Sequence, residues 1–318
     1  MSTQGGRWRN GLLLLAADHR VSFCRLVRDA GLSVEADRLR QAKEIIWHGF
    51  RQAWSDAGGG ERLGILVDSE FGSAVAAEAR AQGVTLAMAV ERSGQDVFEL
   101  EPGLDVAGFV GRFRPHLAKA LVRWNPGDPS DKKLVQAGRL VDLGRQVADL
   151  GPGFLFELLV PPTEADLVAV DGDRDRFDRD LRPRLTTRAI EEIRSAGIEP
   201  DIWKIEGFEN RADARHLGTL IQAGGRADVF AVVLGRGADH SKVRHWLQAG
   251  AGIPGYRGFA IGRSIWAAEV LEFLRGSITA EAAAAAVATH YSSYVEVYDE
   301  AVGNEKLPRL DSNQQPAG

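Results

Sequence analysis

The chain has 318 residues, 44% of them hydrophobic and 26% charged, with a formal net charge of −5 at pH 7, a balance ordinary for globular protein. That charge argues against nucleic acid or an anionic membrane as partner, since both select basic surfaces. A single cysteine, Cys24, excludes an internal disulfide and fits a reducing compartment.

The first ten residues, "MSTQGGRWRN", lack the apolar core of a signal peptide. No later run approaches the roughly 18 apolar residues that span a bilayer, so a cytoplasmic, soluble chain is expected. Short β-type runs then recur in order: "LLLLAA" (12–17), "LGILVD" (63–68), "VTLAMAV" (84–90), "AKALVRW" (118–124), "FLFELLV" (154–160), "DIWKIE" (201–206), "DVFAVVL" (228–234) and "GFAIG" (258–262). Helical periodicity fills the gaps. Residues 34–54 place Val34, Leu39, Ala42, Ile45, Ile46, Phe50 and Trp54 on one stripe, and "KKLVQAGRLVDLGRQVADL", "RLTTRAIEEIRSAG" and "WAAEVLEFLRG" read likewise. Continuous apolar strands with helical crossovers predict a parallel sheet covered by helices, and eight such units predict an α/β fold of one domain, a (β/α)8 TIM barrel over 1–302. A doubly wound open sheet is the rival, but "DHRVSF" follows the first strand where that fold carries a glycine-rich phosphate turn. The charge-rich stretch 163–183 reads as a lid over the barrel mouth or a solvated insertion, and 303–318 as a disordered tail.

On a barrel, the active site forms at the C-terminal ends of the strands, and inward-pointing residues come at every second position. The charges of this sequence collect there. Asp18, His19 and Arg20 end the first strand, Asp68 and Glu70 the second, Glu91 the third; Lys119, Arg123 and Asn125 belong to the fourth, Glu157 to the fifth, Lys204 and Glu206 to the sixth. Any one could be a structural ion pair, but contributions from six strands to one end argue for a site. "LGRGAD" (234–239) and "IGRSIW" (261–266), after the seventh and eighth strands, supply Gly235, Arg236, Gly262, Arg263 and Ser264, the residue types of a phosphate site.

The motifs "AADHR", "VDSEFG", "ERSGQDVF", "LVRWNP", "FELLVPPT", "EPDIWKIEG", "VLGRGAD" and "GFAIGRSIW", spread from Leu12 to about Tyr298, resemble the aldolase-like domain found fused to the sugar kinase of bacterial myo-inositol catabolism. That domain is similar to class I tagatose-1,6-bisphosphate aldolase. Two positions depart from the pattern: Ala17 stands where Phe is more usual, and Arg92 where lysine is common. The resemblance implies a class I, Schiff-base aldolase cleaving a ketose phosphate such as 2-deoxy-5-keto-gluconate 6-phosphate to dihydroxyacetone phosphate and an aldehyde. It implies Lys204, in its K-x-E setting, as nucleophile and Glu157 as acid/base. Strand parity alone leaves Lys119 as the alternative nucleophile.

A Schiff-base lysine must reach its neutral form, and proton transfers at the carbinolamine and the substrate hydroxyl need a carboxylate in reach. Asp18 and Glu206 are candidates to orient the lysine and bind hydroxyls, with Glu91 behind them; His19 reads as a hydrogen-bonding residue and not a base. Arg20 and Arg123 are candidates for a substrate carboxylate, as is the loop residue Arg92. No cofactor and no metal are expected, because His48, His116, His216, His240, His245 and His290 fall mostly in helices or loops instead of clustering at strand ends. A transaldolase or isomerase acting on phosphosugars, or a non-catalytic phosphosugar-binding barrel, would use the same features. The expected partner is a small sugar phosphate, and a homo-oligomer is allowed.

Overall fold

The computed structural model describes residues 7–306. Its eight strands are β1 (Leu12–Ala17), β2 (Leu63–Val67), β3 (Thr85–Ala89), β4 (Leu117–Arg123), β5 (Gly153–Leu159), β6 (Ile202–Glu206), β7 (Phe230–Leu234) and β8 (Tyr256–Ile261). Each pairs in parallel with the next, and β8 returns to β1, closing a single-domain (β/α)8 TIM barrel. The expected strands are all present, with small shifts at their ends. The helices between and after them are α1 (Val21–Asp29), α2 (Ala36–Asp56), α3 (Ser73–Ala81), α4 (Val106–Phe113), α5 (Ser130–Leu150), α6 (Glu164–Ala169), α7 (Arg174–Arg176), α8 (Arg182–Ser195), α9 (Arg211–Gln222), α10 (His240–Gly250), α11 (Arg263–Arg275) and α12 (Ala280–Lys306).

The alternation of strand side chains sorts the core into two regions. Leu12, Leu14, Leu66, Ala87, Leu117, Leu155, Ile202, Phe230 and Val232 fill the barrel interior. Leu13, Leu15, Ile65, Val67, Trp203 and Ile205 point outward and pack under the helices. Burial of each large apolar side chain contributes about 1.5–3 kcal/mol. The same parity carried beyond the apolar layers sets Asp18, Glu91, Lys119, Glu157, Lys204 and Glu206 at one end of the barrel, all buried.

Helix α12 stands outside the expected set. It packs on α2 and α11 and seals the barrel wall, where the buried Tyr291 hydroxyl donates to Leu13 O at 2.7 Å and its ring meets Phe50 and Phe259 edge-on. This helix continues through Gly303 to Lys306, into the segment expected to be tail; residues 307–318 lie outside the described residues.

Lys43, on the core-facing stripe of α2, holds the ends of β1 and β2 together. Its fully buried ammonium pairs with Asp68 at 2.8 Å and donates to the carbonyls of Ala17 and His19. Asp68 also accepts from the backbone N–H groups of Glu70 and Phe71, so its position below the mouth is structural. Removing the lysine strands a buried carboxylate. Lys43→Met is therefore expected to lower unfolding free energy by about 3–5 kcal/mol in urea titration, and Lys43→Met with Asp68→Leu to recover most of it.

The charge-rich insertion folds against the mouth. Thr163 and Asp166 form a capping box on α6, Asp173 caps α7, and a π-helical turn over Phe177–Leu181 feeds α8. Arg182, buried at the start of α8, bonds Asp178 and the carbonyl of Gly207, which ties the insertion to the loop after β6.

Candidate active site

Register brings the key pair together. In the β5–β6 ladder Glu157 stands directly opposite Lys204, with both side chains turned inward. Lys204 Nζ lies 2.9 Å from Glu157 Oε1. The other oxygen of the same carboxylate, Oε2, forms an ion pair of 2.7 Å with Lys119 Nζ from β4, off the hydrogen-bonding direction. Lys119 is also held by Asp18 Oδ2 at 2.6 Å and Glu91 Oε1 at 2.9 Å. Two buried lysines thus share one carboxylate, and one of them has two further acids.

The electrostatics separate these groups. Burial pulls Lys119 toward its neutral form, but Asp18, Glu157 and Glu91 outweigh it and hold the lysine above its ordinary range, as a cation. Burial pushes Asp18 and Glu157 upward, while Lys119 and Lys204 draw both below the usual carboxylate range. For Glu91 burial prevails over Lys119 and Arg20, and its carboxyl sits above that range. His19 is lowered to about 3 by burial, against the pull of Asp18, so its imidazole is neutral throughout the physiological range. Its ring stacks edge-on against Trp266, and its Nδ1 is buried without a hydrogen bond.

Two expected site residues are held by neighbours that the sequence did not show. Lys119, the alternative nucleophile, is surrounded by three carboxylates that favour its charged form and so oppose attack by its lone pair. Arg20 lines the first chamber and is also held by the protein: it pairs with Glu101 and donates to the backbone oxygen and carboxylate of Glu91. Arg123 and Arg92 line the same chamber; Arg123 donates to the Gln95 carbonyl, and Arg92 is half exposed and paired with Glu99 at 3.0 Å. Glu206 does not touch the lysine two residues before it. It meets Arg236 Nε at 3.0 Å and accepts from the N–H of Val160.

The expected phosphate loops lie side by side. Arg236 and Gly237 both take left-handed backbone conformations, at φ 52° and 75°, a strained arrangement for the arginine. Arg263 donates to the Arg236 carbonyl at 2.9 Å, with its guanidinium packed over Gly237, where a Cβ would sit 3.0 Å from Arg263 Cζ. Gly262 lets β8 close on β1: an added Cβ would come within 2.4 Å of Ala16 O and 2.8 Å of His19 Cε1. Gly235 packs against Ile261 and Val243, and Ser264 donates to the Ala238 carbonyl, so the hydroxyl supports the loop. Helix α11 begins at Arg263 with no side-chain cap.

Two adjoining chambers open on this cluster. One, about 230 Å³, is lined by Asp18, Glu91, Lys119, Arg123 and Lys204. The other, about 360 Å³, is lined by Lys204, Glu206, Arg236, Arg263 and the insertion residues Arg174, Phe177 and Asp178. Glu157 and Lys204 face both. Among residues that sequence reasoning missed, Lys43 carried a signal, a lysine on an apolar helical stripe; Glu101 and Asp178 carried none, because their partners lie far along the chain. Among the described residues, no group of three or more His, Cys, Asp or Glu side chains is arranged to hold a metal, and no helix is long and apolar enough to cross a membrane.

Residues 1–302 match the family model described as "Uncharacterized protein conserved in bacteria (DUF2090)". The chain belongs to that family. No curated protein matches the sequence. Among solved structures, this member of the family is similar to fructose-bisphosphate aldolase from Plasmodium falciparum, with a TM-score of 0.63 and 12% identity over 93% of each chain. At that identity the likeness is one of fold.

Proposed function

We propose that this chain is a class I aldolase acting on a ketose phosphate, with Lys204 as the Schiff-base nucleophile and Glu157 as its proton carrier. The observation that carries the reading is the register pair itself: a buried lysine and a buried carboxylate 2.9 Å apart, at the strand ends of a barrel, with a second lysine fixed as a cation on the other carboxylate oxygen. In this reading the neutral Lys204 amine attacks the ketone carbon, and the carbonyl oxygen leaves as water with a proton relayed by Glu157. The iminium then accepts the electron pair of the breaking C–C bond as a carboxylate takes the proton of the substrate hydroxyl, giving an enamine and a free aldehyde. Protonation of the enamine carbon and hydrolysis release the second product and restore Lys204. Lys119 stays charged and anchors Asp18, Glu91 and Glu157 around the reacting atoms.

The substrate favoured by the motif resemblance is 2-deoxy-5-keto-gluconate 6-phosphate, cleaved to dihydroxyacetone phosphate and an aldehyde acid. The fold likeness to a fructose-bisphosphate aldolase supports the reaction class. The phosphate is assigned to the chamber of Arg236 and Arg263, and the carboxylate to that of Arg123. Incubation with dihydroxyacetone phosphate and borohydride is expected to leave a reduced adduct on Lys204, read by peptide mass spectrometry. An adduct on Lys119 with Lys204 unmodified would overturn the assignment, and tight binding with no adduct and no turnover would favour a non-catalytic phosphosugar-binding barrel.

A further inference from the structure

The charge-rich insertion has a property that the aldolase reading does not use. Its arginines are matched by nearby acids: Arg176 with Asp171 at 2.8 Å, Arg179 with Asp180 at 2.9 Å and Arg182 with Asp178 at 2.9 Å. Arg174 is the exception. It lines the second chamber beside Arg236 and Arg263, and its exposed guanidinium makes no hydrogen bond or ion pair with the described residues. Its position is set by α7, whose N-cap Asp173 accepts from the N–H groups of Asp175 and Arg176.

The strand-end arginines alone make a weak anion site. Arg236 already carries two carboxylates, Glu206 at 3.0 Å and Asp178 at 2.7 Å, which oppose an incoming anion. Among the described residues that line this chamber, Arg263, Arg174 and Arg123 are the guanidiniums with no carboxylate in ion-pair distance, and Arg123 also borders the first chamber. A phosphate monoester carries about −1.5 to −2 charges at neutral pH, which two such cations match.

We propose that Arg174 is a specificity-determining residue of the second chamber, which together with Arg263 recognises the phosphoryl group of the substrate; as a substrate assignment this rests on the ketose phosphate reading above. The insertion, and not only the loops after β7 and β8, then decides whether a phosphorylated or a neutral ketose is held. An arginine suits the role because its planar fork bonds two phosphate oxygens at once.

The test uses the full chain and inorganic phosphate as probe, with binding measured by isothermal titration calorimetry. Arg174→Gln is expected to weaken phosphate binding about tenfold or more, while Arg176→Gln, which removes an equal charge from the same insertion, leaves it unchanged. Unaltered affinity in Arg174→Gln, an equal loss in both variants, or no phosphate binding by the parent chain would each overturn the proposal. Borohydride trapping with unphosphorylated dihydroxyacetone separates this result from the aldolase reading, since it is expected to label the parent and Arg174→Gln alike. Phosphate binding that depends on Arg174 without any trapped adduct would retire the aldolase reading and keep the anion site; adduct formation with phosphate affinity indifferent to Arg174 would do the reverse.

Discussion

Lys204→Ala is expected to reduce ketose phosphate cleavage by on the order of 10⁴-fold or more, because it removes the atom that forms the covalent intermediate. Glu157→Gln is expected to lower kcat by roughly 10²–10⁴, the range for loss of a positioned acid/base. The two differ in what remains. Glutamine is nearly isosteric and leaves Lys204 in place, so Glu157→Gln still yields a borohydride adduct given time, whereas Lys204→Ala yields none. Coupled detection of triose phosphate release gives the rates, and mass spectrometry the adducts. Cleavage by Lys204→Ala within tenfold of the parent would rule the mechanism out.

Lys119→Met is expected to have a large effect on stability. The substitution leaves Asp18, Glu91 and Glu157 buried without their common cation, and breaking a buried pair from one side costs about 3–5 kcal/mol. The pH dependence gives this loss a signature. In the parent chain burial raises Asp18 and Glu157, but Lys119 and Lys204 hold both below the values near 4 of an unfolded chain. Both therefore contribute stability that is present above pH about 4 and lost as pH falls through their folded pKa values. Glu91, raised by burial, works in the opposite direction. Without Lys119, burial is opposed chiefly by Lys204 at Asp18 and Glu157 and by Arg20 at Glu91, so all three carboxyls are expected to move upward and the variant to lose less stability than the parent as pH falls from 7 toward 5. Urea unfolding across that range should show the gap between variant and parent narrowing toward acid. A gap independent of pH would mean that the variant's loss comes from packing and not from charge.

The same cluster shows how far the sequence reaches. Eight apolar runs separated by helical stripes were enough for the barrel, because strand parity and helix period are local properties written in every segment. Parity also placed Lys204 and Glu206 on one face and aimed both inward. It could not say what they meet. Glu157 becomes the partner of Lys204 through the β5–β6 register, and Glu206 turns to Arg236, so the two charges of "KIE" belong to different neighbours.

The choice between the two lysines was likewise beyond the linear pattern. Lys119 and Lys204 look alike as inward lysines in apolar strands, and only closure of the barrel brings Asp18, from 101 residues away, together with Glu91 and Glu157 onto one of them. The partners of Arg20 were hidden for the same reason: its acids, Glu91 and Glu101, arrive from the third strand and the loop beyond it. The sequence alone thus determined the fold, the end of the barrel where polar chemistry collects and the residue types present there. The tertiary structure decided which charges cancel and which stay free, because ion pairing acts over a few ångströms between groups that chain order keeps far apart.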